Sequence, residues 1–373
     1  MTLPVGRFSA PEPSRAPAPD PEPEPDPATA TVTGTGTGTV AVPVVVPARL
    51  PLSFDSTLPR SVVHRAAVAE VFVTDSVETG TSAPGDTTRT FDVAAQLPRG
   101  HLVGEHPAAY DFLLIVEVLR QSGVCVAHRH LDVSIDNAFI FSALDFDVLS
   151  LEALRIGARP AQTVLHVSVR PETNRGGRIL GFDFDAVADL DGTPTLRASG
   201  GLTFVSRRAY GKLRAQGLGK ARAASAARPH RPAPAAPATV GRRDVRNVVL
   251  TEPAVGVDGD ASAFLVVDTA HPHLFDHQLD HVPGNLQLEA ARQLAVASVA
   301  RLHGLSPVDL VVTSVRARFT DFAELGLSTR VTAHVGGVQH AEVLGTLTVP
   351  VEVRLGQNGS QVSAVDLEVA QWA

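Results

Sequence analysis

The sequence predicts an α+β protein built from two related domains in tandem, and three features of the chain lead there. Its 373 residues exceed one ordinary core and match two domains of roughly 100–200 residues each. Glu117, Arg120 and Gln121 recur as Glu289, Arg292 and Gln293, each 172 positions further on, so one polar signature is written twice. Around each copy the order is the same: a strand-like segment, an apolar run of helical length, then alternating segments of strand length. A repeat this long is a duplicated domain rather than a solenoid unit, whose period is far shorter. It implies a pseudo-dimer within one chain, alone or as a homodimer.

Residues 1–47 open with alternating Pro, Glu and Asp and pass into a Thr-Gly repeat. Such a tract buries too little apolar surface to offset the entropy of ordering it, so a disordered tail is expected. The first domain is expected over 48–214. Within it Val62–Thr74 reads as a strand, Phe112–Ala127 as a helix with Asp111 as its N-cap, and Thr163–Val169, Ile179–Ala188 and Thr195–Val205 as strands of a meander. Residues 215–240 alternate Ala, Arg and Pro without hydrophobic periodicity and are expected to form a semi-extended linker. The second domain, 241–373, repeats the order: a strand at Ala263–Val267, a helix over Asn285–Leu302 stopped by Gly304, and strands at Val311–Phe319, Thr329–Val335 and Glu342–Val353. Gly200-Gly201 and Gly336-Gly337 fit bulges or turns.

Composition excludes several function classes. Hydrophobic residues at 44% and charged residues at 19% fit a globular fold, and a formal charge of −7 offers no cationic footprint for nucleic acid. No run of 18 or more apolar residues suggests a membrane span, and no charged-then-apolar leader suggests export; a cytoplasmic protein is expected. The single cysteine, Cys125, lies in an apolar run, where a buried and inert thiol is expected. A Walker A loop, a dinucleotide fingerprint and a G-x-S-x-G elbow are absent, so no nucleotide or other cofactor is expected.

On a helix, Glu and Gln four apart share one face, with Arg three from Glu beside them. Placed in an apolar helix wrapped by other elements, that Glu is expected to be buried, which is costly without a partner or a function. A local Glu–Arg ion pair is the plainer explanation. The approach to the second helix carries His271, His273, Asp276, His277, Asp280 and His281, then Val282-Pro283-Gly284. Pro-Gly at a helix N-terminus brings free N–H donors and the positive dipole end close to a ligand, an arrangement suited to a thioester oxyanion. A neutral His nearby suits proton removal from an attacking hydroxyl; capping a helix or bonding a carbonyl is the plainer role for each. There is no HExxH and no Cys pair, and no metal is expected.

Three stretches carry a family resemblance: Leu58-Pro-Arg-Ser-Val-Val-His-Arg-Ala-Ala-Val-Ala-Glu-Val-Phe72, Glu117-Val-Leu-Arg-Gln121, and Phe275-Asp-His-Gln-Leu-Asp-His-Val-Pro-Gly284 followed by Leu288-Glu-Ala-Ala-Arg-Gln293. Over about residues 45–372 the chain resembles the A-factor biosynthesis (AfsA-type) hotdog proteins. The resemblance implies a tandem, or double, hotdog fold, each repeat a curved antiparallel sheet around a long central helix. It implies transfer of a β-ketoacyl group from acyl carrier protein to a hydroxyl of dihydroxyacetone phosphate, toward γ-butyrolactone signals of actinomycetes. The rivals are a thioesterase or dehydratase on the same scaffold, and a non-catalytic acyl-ligand binder or assembly protein.

On that reading Glu289 and Gln293 position substrate or proton, with His281 or His277 as base. Gly284 and Asn285 hold the thioester oxyanion, Arg120, Arg292 or Arg99 binds the phosphate, and Glu117 supplies the opposing wall. Two departures stand out. Tyr110-Asp111 replaces the His-Asp frequent in relatives, and Phe275 stands at the distance from Gly284 where hotdog dehydratases carry their His, which makes dehydration doubtful.

Overall fold

A computed structural model describes residues 51–81, 86–224 and 232–372. The expected tail over 1–47 lies outside the described residues, as does 225–231 of the expected linker. The first repeat contributes strands β1 (Val73–Thr81), β2 (Arg89–Leu97), β3 (Ala138–Val148), β4 (Ala161–Thr173), β5 (Ile179–Leu190) and β6 (Thr193–Val205), with α1 (Phe112–His130) between β2 and β3. Helix α2 (Arg207–Ala224) follows. The second repeat contributes β7 (Ala254–Val255), β8 (Asp260–Phe264), α3 (Gly284–His303), β9 (Leu310–Phe319), β10 (Arg330–Val335), β11 (Gln339–Ala341), β12 (Thr346–Gln357) and β13 (Ser360–Gln371).

All strand pairs are antiparallel, and the order β1-β2-β4-β5-β6-β3-β9-β13-β12-β10-β8-β7 makes one sheet, with β11 beside β12. In each repeat the strand after the central helix lies beside the repeat's last strand: β3 against β6, β9 against β13. Those two strands then pair with each other, Leu144 opposite Ala317 and Phe146 opposite Val315, and so join the halves. Along this seam the apolar residues face inward and are buried, while Asp147 takes Arg316 at 2.8 Å and Asp145 pairs with Arg318 on the outer face. The sheet thus alternates core and solvent with the two-residue period of a strand.

Each central helix is wrapped. Within Phe112–Ala127 every residue except Arg120 is buried, and so is every residue of Leu286–Ala300. Asp111 caps α1 as expected, its side chain accepting from Leu113 N, and Gly304 ends α3 in the left-handed region at φ 66°. Cys125 is a buried free thiol. Opposite the bulge between Phe141 and Ala143, a Cβ on Gly200 would meet Ala143 O at 2.5 Å, which explains the first glycine of the pair.

Two expected elements change. Val62–Thr74 is not a strand: Arg60–Val63 and Val68–Glu70 are 3₁₀ turns that cross over α1, and β1 starts only at Val73. Val63, Val71 and Phe72 are buried there against the helix, whereas Val68 is 65% exposed. Part of the expected linker is ordered as well, since α2 runs through residue 224 and Pro237–Val240 forms a 3₁₀ turn with Val240 fully buried.

Candidate active site

Each Glu-x-x-Arg-Gln set fastens its helix to the segment that crosses over it. Gln121 accepts from Phe72 N at 2.9 Å and donates to Glu70 O and to Glu117 Oε1, both at 2.6 Å. Gln293 repeats this with Val249 N at 3.0 Å, Asn247 O at 2.7 Å and Glu289 Oε1 at 2.6 Å. Each glutamate sits between the arginine of its own helix and a second one from the crossing segment. Glu117 takes Arg120 Nη2 at 2.8 Å and Arg65 Nε at 2.7 Å; Glu289 takes Arg292 Nη2 at 2.8 Å and Arg242 Nε at 2.8 Å. Burial pushes both carboxyls up, but the paired guanidinium charges outweigh it and hold both well below the ordinary carboxylate range. Both are ionised, buried and fully partnered.

The copies part company at the helix N-termini, because the start of each helix meets the glutamate set of the other: Asn285 bonds Glu117 itself, and Asp111 bonds the arginine that holds Glu289. Asp111 at the start of α1 accepts from Arg242 Nη1 at 2.6 Å and from Leu113 N at 2.9 Å, sealing the Glu289 set. A cavity of only about 50 Å³ remains there, beside Tyr110, Asp111, Phe112 and Arg292. At α3 the N-cap is Pro283, which offers no capping side chain, and Gly284 N and Asn285 N have no acceptor among the described residues. Asn285 Nδ2 donates instead to Glu117 Oε2 at 3.0 Å. In front of this first turn lies a cavity of about 870 Å³.

The histidine-rich loop of the second repeat therefore stands over the glutamate of the first. Glu289, Gln293 and Arg292, expected at the centre of the chemistry, do not line the large cavity, whereas Arg120 does and Glu117 binds Asn285 at its edge. The physical reason is the crossing of the helices: the loop that precedes α3 cannot reach the glutamate one and a half turns along the same helix. Arg99 is exposed and lines neither cavity.

Val116 and Leu119 of α1, Phe139, Phe141 and Leu144 of β3, and Phe184 of β5 give the cavity an apolar wall. Its polar residues include His64, Arg120, His277, His281 and Asn285. Arg120 spends Nε and Nη2 on Glu117 and the Val63 carbonyl, and its Nη1 has no partner among the described residues. His281 Nδ1 lies 2.8 Å from Asp280 Oδ1, which also accepts from Tyr210 OH at 2.8 Å. Burial raises the Asp280 carboxyl, but hydrogen bonds from His281, Tyr210 and Arg214 bring it down to about 2. Burial pushes the His281 imidazole down, so it is neutral with its proton on Nδ1 and a bare Nε2. His277 is half exposed, with Nδ1 3.5 Å from Asp276, whose carboxylate accepts from Ala66 N and Ala67 N.

The other two loop histidines are buried. His271 Nδ1 accepts from His273 N and Leu274 N and its Nε2 meets Asn247 at 2.9 Å; burial takes it down to about 4. His273 Nδ1 meets Glu70 Oε2 at 2.7 Å, and His101 Nε2 meets Glu70 Oε1 at 3.2 Å. These three are close enough to hold a metal ion, their donor atoms lying within 4.8 Å of one another. Val103 N, however, donates to His101 Nδ1, which puts the imidazole proton on Nε2, where a metal would have to bind. A carboxylate held between two imidazole N–H groups accounts for the cluster.

A family profile described as the A-factor biosynthesis hotdog domain matches residues 48–206 and again 223–369. The chain belongs to this family. Among curated members, the 2-oxo-3-(phosphooxy)propyl 3-oxoalkanoate synthase of Streptomyces virginiae is 36% identical over 274 residues, 72% of this chain and 84% of the relative. The enzyme of the same name from Streptomyces coelicolor is 30% identical over 269 residues, 72% of this chain and 78% of the relative. Solved structures that match include an acyl-ACP thioesterase from Bacteroides thetaiotaomicron (12% identity, TM-score 0.39, 76% of this chain and 97% of that one). Another is the 12:0-ACP thioesterase from Umbellularia californica (12% identity, TM-score 0.41, 75% and 93%). As a member of the A-factor biosynthesis hotdog family the chain is a tandem hotdog protein, each helix held against its half of the continuous sheet. Among the described residues no helix is long and apolar enough to cross a membrane.

Arg65, which lies within the quoted stretch over 58–72, and Arg242, which lies in none of the quoted stretches, complete the two glutamate sets although sequence reasoning assigns neither a role. A signal exists: Val63-His64-Arg65 and Val240-Gly241-Arg242 recur 177 positions apart, as do Val68 and Val245. Asp280, Tyr210 and Arg214 meet only in three dimensions.

Proposed function

We propose that this protein transfers a β-ketoacyl group from a carrier-protein thioester to the free hydroxyl of dihydroxyacetone phosphate. The product is the 2-oxo-3-(phosphooxy)propyl 3-oxoalkanoate for which its curated relatives are named, an early intermediate toward γ-butyrolactone signals. One observation carries the reading: a single cavity joins an apolar wall, a helix N-terminus with unpaired N–H groups, and a guanidinium with a free edge. These suit an acyl chain, a thioester oxyanion and a phosphate respectively.

The thioester carbonyl lies at the first turn of α3, where Gly284 N–H and Asn285 N–H donate to its oxygen as charge develops. Glu117 fixes Asn285 and Arg120 through its carboxylate oxygens, so its role is positioning. Arg120 presents Nη1 to the phosphate. The acceptor hydroxyl attacks the carbonyl carbon, an imidazole in the cavity takes its proton, the carbon–sulfur bond breaks, and the thiolate leaves with that proton. His277 and His281 line the same cavity. Dehydration is disfavoured because Phe275, buried in the core, has no proton to exchange.

Carrier recognition has a physical counterpart in α2. Tyr210 and Leu213 line the cavity, and Arg207, Arg208 and Lys212 are exposed on the same part of the helix, although the chain as a whole is at −7. The test is to incubate the purified protein with a β-ketoacyl carrier thioester and dihydroxyacetone phosphate and to follow products by mass. Ester formed only when the acceptor is present supports transfer. Free β-keto acid in its absence would make the protein a thioesterase, and unchanged thioester a binder.

A further inference from the structure

We propose that His64 is the general base of the acyl transfer, set in one tautomer by His128; the assignment rests on the transferase reading above. His64 follows the 3₁₀ turn Arg60–Val63 and adopts the left-handed conformation, φ 52° and ψ 55°. Gly241 follows the equivalent turn Pro237–Val240 with φ 67° and ψ 34°. The backbone at this point of the repeat is one that glycine takes freely and a histidine takes at a cost, the kind of strain that persists where a side chain serves a site. At Gly241 a Cβ would meet Pro307 O at 2.7 Å, so the closed copy has no room for any side chain. His128 has Ala300 as its counterpart 172 positions on. The imidazole pair thus exists only in the copy that opens onto the large cavity, and His64 lines that cavity.

The tautomers follow from the hydrogen bonds. His128 Nδ1 lies 2.7 Å from Val133 O, a carbonyl that only accepts, so Nδ1 carries the proton and Nε2 is bare. His64 Nε2 lies 2.8 Å from that bare Nε2 and must donate to it. His64 Nδ1 is left unprotonated and without a partner among the described residues. Burial, with His128, Arg120 and His277 around the ring, keeps His64 neutral, its pKa brought down to about 3. Phe139 meets the ring edge-on and adds no charge. The acceptor hydroxyl gives its proton to Nδ1 as its oxygen bonds to the thioester carbon; the carbon–sulfur bond breaks, and the thiolate takes the proton back from Nδ1. Burial is the main cause of that depression, and a phosphate bound at Arg120 offsets the smaller part that the Arg120 charge adds, so the base strengthens once the acceptor is seated. His281 presents a bare Nε2 to the same cavity with Asp280 on its Nδ1, so it is the competing base that the test below includes.

The test uses His64→Gly in the full chain, a substitution the left-handed backbone accepts, beside His128→Ala and His281→Ala. With carrier thioester and dihydroxyacetone phosphate, kcat for His64→Gly falls about 100-fold or more with little change in KM. Added imidazole restores much of the rate, a rescue that a merely structural residue would not show. His128→Ala loses less and shifts the pH profile, as expected of a positioning residue. Undiminished turnover in His64→Gly, or a folded and inactive His64→Gly that imidazole leaves inactive, overturns the assignment. A wild-type protein that makes no ester sinks the transferase reading and this with it, whereas an active wild type beside an undiminished variant sinks the base alone.

Discussion

Glu117 and Glu289 are chemically twins, both buried and both bonded by two arginines and a glutamine, yet replacing them has different consequences. Glu289→Gln removes the charge that Arg242 and Arg292 share, and breaking such a buried pair costs about 3–5 kcal/mol. Urea unfolding of that variant is expected to show the loss, while turnover per folded molecule stays near wild type. Glu117→Gln is expected to lose similar stability and also turnover, because Asn285 and Arg120 lose the carboxylate that aims them. Equal turnover losses in the two would break the assignment of the cavity to Glu117. The signature itself was legible in the sequence. Which glutamate the histidine loop serves was not, because the decisive bond, Asn285 to Glu117, joins residues 168 apart in different repeats.

The helices were legible as elements because an apolar run of that length buries on every side in one way only. Strands β2, β3, β7, β11 and β13 have no counterpart among the expected elements. In β3 the inward Leu144 and Phe146 alternate with Asp145 and Asp147, whose acidic side chains make sense only against Arg316 and Arg318 of the other repeat. The 3₁₀ crossing over 60–72 reads as a strand for the opposite reason: Val63 and Val71 are buried against a helix rather than in a sheet, and Val68 is exposed. Helix α2 was read in part as a linker because its composition is polar and its function is not to fill a core. Charge reversal of its exposed Arg208 and Lys212 to Glu is expected to raise KM for a carrier-borne thioester roughly tenfold at low salt. KM for a small thioester without carrier should not move. An equal rise for both substrates would mean the helix shapes the cavity rather than receiving the carrier.

Across the whole molecule the two repeats share one sheet, and Arg242 bonds to Asp111 and Arg65 to the His273 carbonyl across the halves. A single cooperative unfolding transition is expected by heat or urea, and two separable transitions would contradict this coupling. Stability should also depend on mild acid. His64, held at about 3, and His271, at about 4, stay neutral in the folded state, while the unfolded chain protonates both below 6.5. Their contribution is complete above pH 6.5 and is lost as the pH falls toward about 4 for His271 and about 3 for His64; Glu70, at about 2 against 4.5 unfolded, adds its loss only below 4.5. Melting temperature measured against pH should therefore decline from 6.5 and steepen below 4.5, and His64→Gly should flatten the upper limb.

The seam between β3 and β9 has a further consequence. In a dimer of identical hotdog subunits every substitution appears twice, so any residue that sharpens one site must be tolerated in the other. Joining the halves in one polypeptide removes that obligation. Position 64 can carry a strained histidine while its counterpart stays glycine, and one N-terminus can lie open while the other is plugged by Asp111. Covalent continuity here licenses the two halves to diverge, one toward an open cavity and one toward a closed scaffold.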